Sequence, residues 1–125
     1  MNLGYIDTED MGFEELNELV LQWADDKGIL DKANPLTQLA KTEEEVSETR
    51  EALFANQNNL DFYYNSKGQL RDTQIEIKDG FGDILVTILI GCKLSGLDPL
   101  DCLETAYNVI SKRTGKMING TFVKD

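Results

Sequence analysis

The chain has 125 residues, enough for one domain to bury a core without disulfides or structural zinc. Its 12 basic and 23 acidic side chains leave a formal charge of −11, which argues against wrapping a nucleic-acid backbone but not against a small phosphate ligand held through bound cations. Histidine is absent, which excludes Ser-His-Asp and Cys-His nucleophile systems, histidine-ligated zinc and the Glu-x-x-His pairs of di-iron bundles. Acid–base chemistry is left to carboxylates, lysine, tyrosine or metal-bound water.

The N-terminal stretch Met1 to Asp10 has no basic region followed by an apolar run, so no signal peptide is expected. The first helix is expected from about Gly12 to Asp26 after an Asp10 cap, with Phe13, Leu16, Val20 and Trp23 as one apolar stripe and Gly28 as its stop. The second starts at Asn34-Pro35, a cap followed by a proline whose missing N–H costs nothing there, and runs to about Phe54. Leu39, Val46 and Leu53 mark its expected buried side. The polar, Asn-rich segment from Asn56 to Gly68, with Phe62-Tyr63-Tyr64 inside it, reads as a loop over a pocket.

The third helix is expected from about Gln69 to Ser95, with Gly96 ending it. Its second half, Ile84 to Ile90, is apolar all round and reads as central and buried. The apolar run Ile84 to Gly91 is too short to span a bilayer, so no membrane is expected. Cys92 lies in an apolar stretch of the same helix and reads as a buried, reduced thiol; neither it nor Cys102 has zinc-like spacing, which fits a cytoplasmic protein. Asp98-Pro99 starts the fourth helix, with Leu100, Leu103, Tyr107 and Ile110 as its stripe and an end near Thr114-Gly115. Asn119-Gly120 between apolar pairs signals a short C-terminal hairpin. The fold class is therefore all-α, a four-helix bundle in a single domain over 1–125. The all-apolar third helix is more than three amphipathic partners cover, which points to a homo-oligomer.

Two acidic clusters stand out. Glu45 and Glu48 share a face of the second helix with Lys41 and Gln38, a face that points away from Leu39, Val46 and Leu53 and taken alone reads as solvated. On the third helix Glu76, Asp79 and Asp83 share a stripe that continues through Val86, Thr87 and Ile90 into the core. Buried carboxylates must be protonated, paired or metal-bound, and Arg71 and Lys78 lie on other faces, so a hard divalent ion is the natural counter-charge. Mg²⁺ or Mn²⁺ suits such a site, with Glu44 or Glu76 free to take a proton from water. Gly80 and Gly82, costly in a helix interior, point to close approach of a ligand or another helix, unless the helix begins later with Asp79 as its cap.

At these residues the chain resembles the MazG-like all-α nucleoside triphosphate pyrophosphohydrolases, in particular their short, phage-type members. Glu44-Glu45-Val46-Ser47-Glu48 matches the first half of the family pattern, Glu-Glu-x-x-Glu. The second half, Glu-x-x-Asp, is met either by Glu76 to Asp79 or by Asp79 and Asp83 around Gly82-Asp83-Ile84-Leu85-Val86, where Gly80 stands at the expected glutamate. The latter register is preferred. The lead-in Trp23, Gly28, Pro35 to Gln38 and the ending Asn108 through Lys116 and Asn119 to Lys124 also look like the family.

The resemblance implies Mg²⁺-dependent hydrolysis of a nucleoside or deoxynucleoside triphosphate to the monophosphate and pyrophosphate. Glu45, Glu48, Asp79 and Asp83 would hold metal, with Glu76 a further candidate ligand; Glu44 would assist water activation or orient Lys41. Lys112 and Lys116 would steady the outer phosphates, with Asn108 adding a polar contact and Gln38 and Trp23 facing substrate. For Trp23 core packing weighs more than base stacking, and for Arg113 a helix C-terminal charge weighs about as much as a phosphate contact. Two alternatives stand beside this reading. One is a non-catalytic acidic helical interaction module. The other is a related pyrophosphohydrolase acting on dUTP, dUDP or phosphoribosyl-ATP.

Overall fold

The computed structural model describes residues 7–125, so the reading of Met1 to Asp10 as lacking a signal peptide lies largely outside the described residues. Helix α1 spans Phe13–Asp26 and starts at Gly12 rather than Asp10, because the Glu15 carboxylate accepts the Gly12 N–H at 3.0 Å. Gly28, at φ 79°, turns the chain and opens a single-turn helix, α2, Ile29–Lys32. Helix α3 covers Pro35–Gln57. Its start is a reciprocal cap: Thr37 N–H donates to Asn34 Oδ1 at 2.9 Å, and Asn34 N–H donates to Thr37 Oγ1 at 3.0 Å.

The segment expected to be a loop is instead a hairpin. Strands β1, Phe62–Tyr64, and β2, Leu70–Asp72, pair antiparallel with Tyr63 opposite Arg71. Asn65 organises its turn by accepting the N–H groups of Lys67 at 3.0 Å and Gln69 at 2.9 Å, and Gly68 supplies φ 76°. Helix α4, Thr73–Leu94, follows at once, capped by Asp72 Oδ1 on the Ile75 N–H at 3.1 Å. The helix therefore begins before Asp79, and Asp79 is no cap. Helix α5, Pro99–Ile110, has the expected Asp98 cap and turns 101° from α4. Strands β3, Gly115–Ile118, and β4, Thr121–Lys124, form the expected C-terminal hairpin, with Asn119 and Gly120 at φ 50° and 82°.

The chain is mostly helical, with five helices and two small antiparallel sheets among the described residues, and so is not a pure four-helix bundle. Helices α3 and α4 form the main packed pair, and α1 lies on α4. Two expectations about burial fail. Leu39, Val46 and Leu53 are exposed, while Gln38, Thr49, Ala52 and Ala55 are the buried positions of α3. Small and polar side chains let the two helix backbones approach closely, and the bulky stripe is turned outward. Likewise, of the run Ile84 to Ile90 only Thr87 and Ile90 are buried; Leu85 is 59% and Ile88 43% exposed, because no element among the described residues covers that side of α4. Cys92 is half-buried rather than buried, and its pKa is raised by burial and by neighbouring Cys102.

Gly80 is explained by helix packing. A Cβ there would overlap Thr49 Oγ1 and stand 3.1 Å from both Thr49 Cβ and Cγ2. A Cβ at Gly82 would meet open space, and the structure gives no reason for that glycine. No single helix among the described residues is long and apolar enough to cross a membrane.

Candidate functional site

The α3–α4 seam runs antiparallel. At one end Gln38, buried, donates from Nε2 to the Thr87 carbonyl at 3.3 Å; further along, Gly80 meets Thr49. Between and just beyond these contacts lie the carboxylates of both clusters. The face expected to be solvated is thus the packed one. Glu45 keeps only 13% of its side chain exposed, and Thr49 on the same face is buried.

The two clusters sense each other. Burial raises the pKa of Glu45, and the negative charges of Glu48 and Asp83 add to it while Lys41 opposes. Burial also raises Asp83, helped by Asp79, Glu48 and Glu76, again with Lys41 opposing. All five expected metal ligands therefore belong to one electrostatic neighbourhood. Lys41 is the nearby cation: its Nζ lies 3.3 Å from Glu44 Oε1 and 3.6 Å from Glu45 Oε1. Burial works against its charge, but the two carboxylates outweigh that and raise its pKa.

The donor chemistry fits a hard divalent ion, being all carboxylate oxygen with an excess of negative charge. Among the described residues, however, no three acidic or thiol groups are already gathered closely enough to hold a metal ion. Cation binding needs the side chains of Glu45, Glu48, Asp79 and Asp83 to converge from neighbouring turns.

Two hollows flank the carboxylates. On the Gln38 side, a largely apolar pocket of about 560 Å³ is lined by Trp23, Ile29, Gln38, Lys41, Glu45 and Asp83 among others. Trp23 is 48% exposed and walls this pocket, so it is not a core residue. On the hairpin side a smaller cleft of about 110 Å³ is lined by Glu48, Glu51, Tyr63, Lys67, Arg71 and Glu76. Burial together with Glu76 and Glu51 raises the Tyr63 pKa. A third hollow, about 490 Å³ between α1 and the α4–α5 turn, contains none of the five carboxylates.

Of the residues picked from sequence, Trp23, Gln38, Lys41, Glu44, Glu45, Glu48, Glu76, Asp79 and Asp83 come together along this seam. Asn108, Lys112, Arg113 and Lys116 do not join them within one copy; they lie exposed at the end of α5 and the start of β3. Sequence reasoning missed Glu51, Tyr63, Lys67 and Arg71. The available signal was the Asn65 to Gly68 turn between Phe62-Tyr63-Tyr64 and Leu70, a short hairpin pattern. No family model, no curated protein and no solved structure matches this chain.

Proposed function

We propose that this chain is a divalent-metal-dependent nucleoside triphosphate pyrophosphohydrolase of the MazG-like type. The observation that carries the reading is the continuity of the Trp23–Gln38 pocket with the Glu45–Asp83 carboxylates. The pocket has the size and apolar lining of a nucleoside site, and it opens onto acids where a metal-bound phosphate belongs. Trp23 offers an aromatic face to a base, and Gln38 an amide anchored on Thr87.

Glu45, Glu48, Asp79 and Asp83 would hold Mg²⁺ or Mn²⁺, with Glu76 at the edge of the set. Bound there, the ion would lower the pKa of a water and offset charge on the phosphoryl oxygens. The chain's own residues do the rest. Lys41, held by Glu44 and Glu45, keeps a positive charge beside the acids and against the phosphates. Glu44, paired with Lys41 and outside the metal-holding set, would take the proton that a water gives up. Water is added across the α–β phosphoanhydride bond, and the products are a nucleoside monophosphate and pyrophosphate.

A homo-oligomer is part of this proposal. Only Ala24, Ala52, Ala55 and Ile90 form a fully buried apolar core among the described residues, whereas Leu85, Ile88, Leu97, Leu103, Tyr107 and Ile110 stand exposed. That much apolar surface calls for a partner, and a second copy is the simplest. The same exposure favours the second reading, an interaction module without activity.

The test is a panel of ribo- and deoxyribonucleoside triphosphates with Mg²⁺, scored for monophosphate and pyrophosphate, with Glu48→Gln and Asp83→Asn alongside. Release of pyrophosphate by the unsubstituted chain and its loss in both variants is the expected result. Full release by both variants would overturn the metal-site assignment, and no release with any nucleotide favours the interaction module.

A further inference from the structure

We propose that the β1–β2 hairpin forms a pyrophosphate subsite, with Arg71 and Lys67 binding the β and γ phosphates of the substrate. This rests on the nucleotide reading of the preceding section, which fixes the other end of the substrate.

The argument is one of order along the seam. The nucleoside-sized pocket ends at Glu45 and Asp83, and the small hairpin-side cleft begins at Glu48 and Glu76. Glu45 to Glu48 is a rise of about 4.5 Å along α3, and Asp83 back to Glu76 about 10.5 Å along α4, at 1.5 Å per residue. A nucleotide with its base against Trp23 and its α phosphate at the carboxylates would continue along the seam toward the cleft under the hairpin. That cleft, about 110 Å³, has the room of roughly three to four waters. It is polar, and Lys67 and Arg71 are the cations on its wall.

The hairpin is built to present them. Tyr63 pairs with Arg71 across the strands, and the Arg71 guanidinium donates to Gln69 Oε1 at 2.8 Å. The Ser66 N–H donates to Glu51 Oε1 at 3.1 Å, which ties the turn beside Lys67 to α3. Arg71 makes no ion pair with Glu48 or Glu76, although all three line the same cleft. Its remaining N–H groups are free to take phosphate oxygens, the geometry in which arginine binds best. The expected phosphate cations, Lys112 and Lys116, line neither hollow of one copy, and Lys41 lines the nucleoside-sized pocket, so Lys67 and Arg71 are the protein cations of the hairpin-side cleft.

The experiment is calorimetric titration of the full chain with inorganic pyrophosphate in Mg²⁺, and separately with a nucleoside monophosphate in Mg²⁺, for the unsubstituted protein, Arg71→Ala, Arg71→Lys and Lys67→Ala. The monophosphate is the one released most efficiently in the nucleotide panel, or deoxyuridine monophosphate if none is released. Circular dichroism checks that each variant is folded. Arg71→Ala should weaken pyrophosphate binding about tenfold or more, the usual scale for one charge-assisted contact. Lys67→Ala should weaken it less, Arg71→Lys should restore part of the loss, and monophosphate binding should be unchanged. Unaltered pyrophosphate affinity in Arg71→Ala overturns the subsite, as does an equal loss for monophosphate. If the chain hydrolyses no triphosphate yet binds pyrophosphate through Arg71, the subsite stands and the hydrolase reading falls.

Discussion

Replacing Gly80 by alanine tests the packing on which the whole site depends. The added methyl would overlap Thr49 Oγ1 and crowd Thr49 Cβ and Cγ2 at 3.1 Å. Thr49 cannot easily move aside, since it is 1% exposed and its hydroxyl donates to the Glu45 carbonyl at 2.8 Å. Overpacking of this kind costs about 1–3 kcal/mol, and breaking the Thr49 hydrogen bond about 1 kcal/mol more. Alanine's better helix propensity returns about 1 kcal/mol. The net expectation is a loss of about 1–3 kcal/mol. At roughly 3–6 °C per kcal/mol for a chain of this size, the melting midpoint should fall by roughly 3–18 °C. Thermal and urea denaturation measure it directly. Thr49→Ala removes Oγ1 and Cγ2, so the double variant should recover part of the loss, and a double-mutant cycle should show coupling of about 0.5–3 kcal/mol. If Gly80→Ala is as stable as the parent or more so, the α3–α4 approach is looser than described, and the placement of the carboxylates along it fails with it.

The raised pKa values of Glu45 and Asp83 set a sign for pH dependence. Groups that hold protons more tightly folded than unfolded stabilise the fold at pH below their unfolded values, and that contribution is lost as pH rises through the raised folded values. In chelator, thermal stability should therefore rise on acidification from neutral pH into the carboxylate range, and Glu45→Gln or Asp83→Asn should flatten the rise; a flat profile in the parent would refute it. Added Mg²⁺ should stabilise the protein at neutral pH and progressively less as the carboxylates protonate, which differential scanning fluorimetry at two pH values would show. Trp23→Ala should raise the KM for nucleotide while costing the fold much less than the 3–5 kcal/mol typical of a buried tryptophan, because Trp23 is 48% exposed; a large stability loss with unchanged KM would return it to the core. Light scattering should give a mass that is a multiple of 14.1 kDa, and Leu85→Asp with Leu103→Asp should reduce it; a monomeric parent would remove the oligomer.

Local signals were legible in the chain itself. Asn34-Pro35 and Asp98-Pro99 cap and start helices through their own side chains and ring geometry, and Asn119-Gly120 makes its hairpin through left-handed backbone. Each is settled within a few residues, so no distant contact can overrule it. The acids could be grouped by face for the same reason, helical spacing being a local property. Which face packs was decided only by tertiary structure. Leu39, Val46 and Leu53 carry the apolar stripe of α3, yet Gln38, Thr49 and Ala52 pack, because small side chains and Gly80 admit a close helix approach that bulky ones would prevent. That choice drew Glu45 out of solvent, brought it into the field of Asp83 and opened the Trp23 pocket onto both. Arg71 reached the cleft by the same route: its strand is local, but its nearness to Glu48 and Glu76 depends on how the hairpin lies against α3 and α4.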